Sequence, residues 1–287
     1  MDHRSDIQDF LTRRRAQLTP EQVGLPTSGR RRVPGLRREE VAVLAGVSIE
    51  WYRRLERGHI GGVSEDVLDA VARALRLSED ERIYLFDLAE AARPGAAPRR
   101  PREAVGLPLR VQWLLDSMTL SAAFVSNGRL DIVAVNALGH TLYAPLYDSA
   151  TTAEYGGPNI ARYFFLDPGA HDFLDDWGVS ASLTVSLLRA ESGRYPDDTA
   201  LRALVGELAT RSAEFRTRWD AHEVRVHHGG VKSFHHPDAG LLTLTYQPLD
   251  LPVSSHEAHS LTIYTAEPGT PDEDRLRLLA DLAAKRR

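Results

Sequence analysis

The chain contains no cysteine among its 287 residues. Disulfide staples and thiolate metal sites are thereby excluded, and a cytoplasmic setting is expected. No apolar run approaches the roughly 20 residues that a membrane-spanning helix needs, so no membrane partner is expected. The N-terminal MDHRSDIQDFLTRRR alternates charge with apolar residues and lacks the continuous apolar core of a signal peptide. Internal repeats are missing too. A GxSxG elbow, a glycine-rich phosphate loop, a dinucleotide fingerprint and an HExxH helix are all missing. With none of these signals, no catalytic residue is assigned and the chain does not read as an enzyme.

What is present is unevenly charged. The formal net charge is −5, yet residues 1–102 carry 19 Arg against 16 Asp plus Glu. Within Arg13 to Arg57 there are 11 Arg and five Glu, while the rest of the chain beyond residue 102 is net −8. That asymmetry is the footprint expected of a phosphate-binding face. Nearly every basic residue is arginine, whose planar fork suits bidentate phosphate or guanine contacts. A GC-rich genome would also favour arginine codons.

The basic segment centres on RREEVAVLAGVSIEWYRRLERG, Arg37 to Gly58. Val41, Leu44 and Ala45 recur at helical spacing, and Ala42 is small enough for a second helix to approach. Gly46 sits where the chain must leave the helix, a left-handed position that glycine enters without steric cost. Ser48 is placed to cap the next helix, Ile49 to Arg57. Tyr52 and Leu55 face inward, leaving Glu50, Trp51, Arg53, Arg54 and Arg57 largely outside. Such a pair of helices is a helix-turn-helix, whose second helix fits the major groove of double-stranded DNA. An ordinary αα-hairpin with solvated arginines is the competing reading, and the wide Trp51 among arginines argues against it. EEVAVLAGVS and WYRRLERG resemble the XRE-type, Cro and repressor-like DNA-binding domain. The preceding GRRRVPGLRREE narrows the resemblance to the MmyB-like transcription regulators of actinobacterial type.

Around this motif, Asp6–Gln17 reads as a first helix with Ile7, Phe10 and Leu11 on one face. Arg13, Arg14 and Arg15 at its end suit either macrodipole compensation or phosphate. Thr19-Pro20-Glu21-Gln22 is a capping box opening a short turn of helix. Arg30, Arg31 and Arg32 form either an arm along the DNA backbone or minor groove, or a merely solvated loop. Ser64 and Ser78 cap two further helices, the last with Ile83, Phe86 and Ala89 inside. Five helices in residues 1–92 form the first domain, and the Pro- and Arg-rich residues 93–103 form a linker.

Residues 104–287 form the second domain. It opens with a helix over Leu109–Met118, with Val111, Leu114, Leu115 and Met118 on one side. Asn127-Gly128 between two apolar runs signals a β-hairpin. Asn136 then caps a helix, which is how PAS domains begin. A long helix with Phe173, Leu174, Trp177, Leu183, Leu187 and Leu188 follows, then one over Thr199–Ala209, then one started by Ser212. From His222 the period becomes that of strands, with Val224 and Val226, Val231 and Phe234, Leu242 to Tyr246, and Leu261 to Tyr264. A helix from Asp272 closes the chain. ARYFFLDPGAHDF, SAEFRTRWDAHEVRVH, FHHPDAGLLTLTYQPLDL and IYTAEPGTP resemble the MmyB-like ligand-binding domain. Together the resemblances cover nearly the whole chain. They imply a PAS-like sensor fused to a helix-turn-helix, with a pocket that accepts a fatty acid.

The fold class is therefore α+β: an all-α five-helix domain, then a PAS-like antiparallel sheet with helices. DNA-binding residues are assigned as Arg32, Arg37, Arg38, Ser48, Glu50, Trp51, Arg53, Arg54 and Arg57. Arg37 and Arg38 should grip phosphate, Glu50 suits cytosine N4, Arg53 guanine, and Trp51 a thymine methyl or sugar. Arg54 and Arg57 hold the backbone. Ligand-binding candidates are Asn136, Arg162, Trp177, Phe215, Trp219, His222 and His236; the three large aromatics also fit a plain core. His227-His228 and His235-His236 point to opposite faces of a strand, so no metal site is assigned. His171 is the one helical candidate for a haem ligand. The expected protein is a cytoplasmic one-component regulator, a homodimer binding DNA and a small apolar, fatty-acid-like ligand, with no other cofactor. The alternative is a small-molecule or lipid-binding protein whose helical domain is an interaction module.

Overall fold

A computed structural model describes residues 3–26, 33–93, 107–221, 229–252 and 259–285. The chain divides into two compact units; the first comprises the described residues of Met1–Arg99 together with Arg189–Asp198. Its N-terminal helices are α1 His3–Gln17, α2 Arg38–Leu44, α3 Ile49–Glu56, α4 Glu65–Ala74 and α5 Glu79–Ala91. Ile7, Phe10 and Leu11 of α1 meet Val41 and Ala42 of α2, Tyr52 and Leu55 of α3, and Leu68 and Val71 of α4 in one core. The turn from α2 to α3 follows its sequence. Gly46 lies at φ 67°, the Val47 N–H donates to Ala42 O at 3.0 Å, and Ser48 accepts from the Trp51 N–H at 3.1 Å. Gly58 ends the motif at φ 87°, where a Cβ would stand 2.7 Å from the Arg4 backbone. Thr19 and Gln22 bond reciprocally around a single 3-10 turn, Glu21–Val23, and Ser78 with Glu81 does the same at α5. Ser64 occupies the cap position of α4, but its hydroxyl makes no capping bond.

The inward face of α5 differs from expectation. Tyr84, Leu85, Leu88 and Ala89 are buried, while Ile83 is exposed and Phe86 half-buried. An apolar run of this density offers two stripes at helical spacing, and the contact between Tyr84 and Phe10, edge to face at 5.2 Å, selects the other one.

The second unit begins with α6, Leu109–Ser117, of which Val111 and Leu115 are buried and Leu114 is exposed. Strands β1 Ala122–Asn127 and β2 Ile132–Val135 form the expected hairpin, and Asn136 starts α7, Ala137–Leu142. Short helices α8 Ala144–Tyr147, α9 Ala150–Tyr155, α10 Ile160–Leu166 and α11 Gly169–Phe173 follow. The long helix expected from Phe173 to Leu188 is interrupted, and α12 runs Trp177–Arg194. The break has a local cause: the Asp175 N–H donates to Ser233 O at 3.1 Å, and Asp176 accepts from the Val179 N–H at 3.0 Å like a cap. Then come α13 Thr199–Arg211, α14 Ala213–Asp220, β3 Gly230–His236, β4 Gly240–Leu251, β5 His259–Thr265 and α15 Pro271–Lys285. The strand expected at Val224 and Val226 lies outside the described residues.

The five strands form one antiparallel sheet in the order β2-β1-β5-β4-β3. The chain as a whole is thus α+β. Because side chains alternate along a strand, the sheet has two apolar faces. Ala123, Val125 and Leu261 pack with Val111 and Leu115 of α6. Phe124, Phe234, Leu242, Leu244 and Tyr264 pack on the other side with α7, α10, α11 and α15. A separate cluster joins Leu188, Leu201, Leu204, Val205, Leu208, Phe215 and Trp219.

Candidate functional site

The eight residues from Glu50 to Arg57, along α3 and its C-cap, divide by face. Tyr52, Leu55 and Glu56 are buried, whereas Glu50, Arg53, Arg54 and Arg57 are exposed. Arg53 and Glu50 stand 3.5 Å apart, a loose exposed pair one turn apart that water screens and a stronger partner displaces. Ser48 holds the helix start. Trp51 is half-buried and packs against the core, so only part of its ring is available outside, less than the sequence suggested. Arg37 caps α2, its backbone N–H donating to Glu40 at 2.6 Å, with its guanidinium exposed beside Glu39. Arg32 lies outside the described residues.

Arg38 is engaged differently from expectation. Its guanidinium pairs with Glu56, a carboxylate only 2% exposed, which also receives Arg15 at 2.7 Å. Arg14 likewise pairs with buried Glu81. Three arginines of the basic segment thus neutralise internal acids, and Arg38 keeps only its exposed edge for a phosphate. Burial and the neighbouring Glu56 together raise the Tyr52 phenol far above its ordinary value.

In the second unit the polar candidates are mostly occupied by their own chain. The Asn136 side chain accepts from the N–H groups of Ala123 and Gly139 and donates to Met118 O and Ser121 O, at 2.7–3.0 Å. That exhausts what an amide can bond, so the side chain fastens α7 to β1 and has nothing left for a ligand. Arg162 donates to Glu207 at 3.0 and 3.1 Å and lies 4.1 Å over the Tyr155 ring. Burial opposes ionisation of Glu207, but hydrogen bonds from Tyr155 and Arg162 outweigh it and hold the carboxyl below its usual value. His236 is 2% exposed; its Nδ1 accepts from the Asp238 N–H at 3.1 Å, which leaves Nε2 to donate to Thr141 O at 3.0 Å. His222, His227 and His228 lie outside the described residues. His235 sits 2.9 Å from Asp175 at the surface, and His171 is exposed and stacks on Trp177 at 3.9 Å.

The three large aromatics are linked through Phe165, whose ring lies 5.9 Å from Trp177 and 5.1 Å from Phe215. Phe215 and Trp219 stack at 5.4 Å within the α12–α14 cluster, while Trp177 packs on the sheet side and donates from Nε1 to Phe164 O at 2.9 Å. The densest aromatic group is another one: Phe124, Tyr143, Tyr163, Phe164, Phe173, Phe234 and Tyr264, all buried, with Tyr246 beside it. Tyr143 and Tyr264 share a hydrogen bond of 2.7 Å between hydroxyls. Tyr163, 1% exposed, has a hydroxyl with no partner among the described residues. Lys232 reaches this group from β3.

Two residues of consequence escaped the reading of the sequence, and each carried a signal. Glu56 follows Tyr52 by four positions, which puts it on the inward stripe of its helix. Lys232 shares parity with Phe234 and His236 on a strand, and it is one of only two lysines in an arginine-rich chain. Among the described residues no group of three or more His, Asp or Glu is placed to hold a metal. No helix among them is long and apolar enough to cross a membrane.

Comparison with known families is consistent with both units. A family described as the MmyB-like transcription regulator ligand binding domain matches residues 107–279. A helix-turn-helix domain family matches residues 10–85. Neither is a family of enzymes. None of the curated proteins matches the chain.

Proposed function

The chain belongs to the MmyB-like transcription regulators, which join a DNA-binding helix-turn-helix to a ligand-binding domain, and on that premise we propose a one-component sensor. Its second domain is PAS-like and takes a small apolar ligand of fatty-acid type. The ligand alters operator binding by a cytoplasmic homodimer on a palindrome-like site, where two α3 helices enter successive major grooves. Arg53 reads guanine and Glu50 cytosine N4, while Arg37, Arg54 and Arg57 hold phosphate. The observation that supports this reading is the division of α3 by face. Its inner side is anchored in the core by Tyr52, Leu55 and Glu56, and its outer side carries three exposed arginines. A helix anchored on its inner side and charged on its outer side suits groove recognition. For the second domain, an apolar aromatic wall with a few polar groups is the composition of a small-molecule site. Ligand can shift DNA binding only as far as it favours one of two states.

The test joins both domains in one sample. Native mass spectrometry of the purified full chain, followed by organic extraction, should recover a co-purifying acyl-chain compound. Selection from a pool of random duplexes should enrich one palindrome-like site, with affinity that falls steeply with salt. Adding the extract back to stripped protein should change that affinity. Absence of any enriched duplex would sink the DNA-reading roles, and identical DNA affinity with and without extract would sink the modulation.

A further inference from the structure

Helix α6 is apolar on both sides. Val111 and Leu115, one turn apart, are buried with Ala123, Val125 and Leu261 of the sheet. At about 100° per residue, Leu109 and Trp113 stand on the opposite side, and they are 74% and 68% exposed. Leu114, beside Trp113, is 45% exposed. Trp113 occupies the middle of this outward face, with Leu109 one turn before it and Ser117 one turn after. Single exposed leucines are ordinary on a protein surface. A tryptophan and two leucines on one nine-residue helix make a patch, and a helix apolar all round is one that is covered all round.

The charged residues of α6 indicate what covers it. Arg110 and Asp116, both exposed, stand three positions before and three positions after Trp113. Two copies of α6 packed antiparallel about a twofold axis at Trp113 bring Arg110 of each copy level with Asp116 of the other. The face is thus complementary in charge to itself. Packed parallel, the same helices would set like charges level with each other. Asp116 already accepts from Gln112 Nε2 at 3.0 Å, and a carboxylate has room for further donors. A membrane surface would call for a basic helix, whereas one Arg and one Asp leave α6 neutral. Tryptophan is also among the residues most enriched where a few side chains carry a protein–protein contact.

We propose that the outward face of α6 is the dimer interface. Leu109, Trp113 and Leu114 pack against the same residues of a second copy, antiparallel, with Arg110 and Asp116 paired across the rim. The assignment rests on the reading of the protein as a homodimer on a palindrome-like site, and it adds which surface carries the twofold axis. One short helix covers less than the roughly 800 Å² per subunit of a standard interface, so the dimer is expected to dissociate in the micromolar range.

Sedimentation velocity of the full chain, over a series from low micromolar to about 100 μM, tests this. Wild type should pass from monomer to dimer along the series. Trp113→Glu sets a charge at the centre and should raise the dissociation constant about thirtyfold or more. Arg110→Glu and Asp116→Arg should each weaken the dimer about tenfold, because the twofold axis counts each lost pair twice. Both reversals in one chain should restore it. These positions face solvent, circular dichroism confirms that each variant folds, and the wild-type series needs no variant. A dimer that Trp113→Glu leaves unchanged removes α6 from the interface and leaves the homodimer standing. A double reversal no tighter than either single one overturns the antiparallel pairing. Wild type that stays monomeric throughout overturns the assignment together with the homodimer reading.

Discussion

Two regions of the molecule, the core around α1, α3 and α5 and the aromatic face of β3, hold charge in different ways. In the first, Glu56 is 2% exposed and receives Arg15 and Arg38, while Glu81 is 4% exposed and receives Arg14. Every sequestered carboxylate of that pair is met from inside the chain. In the second, half-buried Lys232 faces two aromatic rings, and the Tyr163 hydroxyl has no hydrogen-bond partner among the described residues. The difference separates scaffold from receptor. A charge neutralised internally fixes one arrangement of helices and is closed to visitors. A charge compensated only by rings leaves its strongest interaction to be made with something else. A helix that must enter a groove at a set angle gains from the first treatment, and a domain that must respond gains from the second.

The largest effect should come from breaking the closed side. Glu56→Gln removes the acid that Arg15 and Arg38 share, and Arg15 is the more enclosed of the two, with its Nη1 also donating to Leu36 O at 2.8 Å. Leaving a guanidinium enclosed without its counter-charge costs about 3 kcal/mol, near the low end for buried pairs because Arg38 is half in water. Urea unfolding of the full chain reads this directly. A loss below about 1 kcal/mol would mean that the triad behaves like a surface pair and that the contrast between the two regions is false.

On the outer face of α3 the effect should be smaller and of another kind. Arg53→Ala should cost roughly 2 kcal/mol on the preferred site and relax base preference at one position. Arg57→Ala should weaken all duplexes alike and lower the salt slope by about one. Fluorescence anisotropy on the selected site and on single-base variants separates the two. An unchanged preference in Arg53→Ala would remove that side chain from base reading. Arg38 is unsuited to the same test, since its loss also disturbs Glu56.

The open side can be sharpened through pH. Below about 8 both the folded and unfolded chains hold the Lys232 proton, and the folded state bears the cost of a partly desolvated ammonium. Between about 8 and the ordinary value of 10.5 the unfolded chain holds more of that proton, so stability rises with pH. The window closes near 10. There Tyr143 and Tyr264, whose phenols burial pushes above their ordinary 10.0, reverse the slope, because the unfolded chain releases those protons first. Urea midpoints of wild type should therefore climb from neutral pH to about 9.5, relative to Lys232→Met. Parallel curves for the two proteins would show that the ammonium is solvated.

How far this was readable beforehand depends on the range of the interaction. Caps are local, so Ser48, Ser78, Asn136 and Ser212 all stand where sequence puts them, each accepting from a backbone N–H three residues on. The hairpin at Asn127-Gly128 and the alternation of Leu242 and Leu244 are local too. Partner choice is not local. Arg38 finds Glu56 across 18 positions and Arg14 finds Glu81 across 67, and nothing in the spacing of either arginine distinguishes an internal partner from a phosphate. The same limit blurred α5, where Ile83 and Phe86 offer as good a stripe as Tyr84 and Leu88 until Phe10 decides between them. Arg162 and Asn136 look like ligand groups for that reason as well. A polar residue beside an apolar wall reads the same whether its partner is a ligand or, as here, Glu207 and the backbone of β1.

The smallest effect tests the open side at a single atom. Tyr143 and Tyr163 lie in one aromatic cluster and are both 1% exposed, but only Tyr143 has a hydroxyl partner, Tyr264 at 2.7 Å. Removing a made bond strands the hydroxyl left behind, so Tyr143→Phe should cost about 1 kcal/mol. Tyr163→Phe deletes an oxygen without a partner among the described residues and leaves the ring packing intact, so it should be neutral or stabilising by a few tenths of a kcal/mol. Thermal unfolding of both variants in stripped protein makes the comparison. A clear loss in Tyr163→Phe would mean that its hydroxyl is satisfied in solution, by water for instance. Lys232 would then stand alone as the under-satisfied group of this cluster.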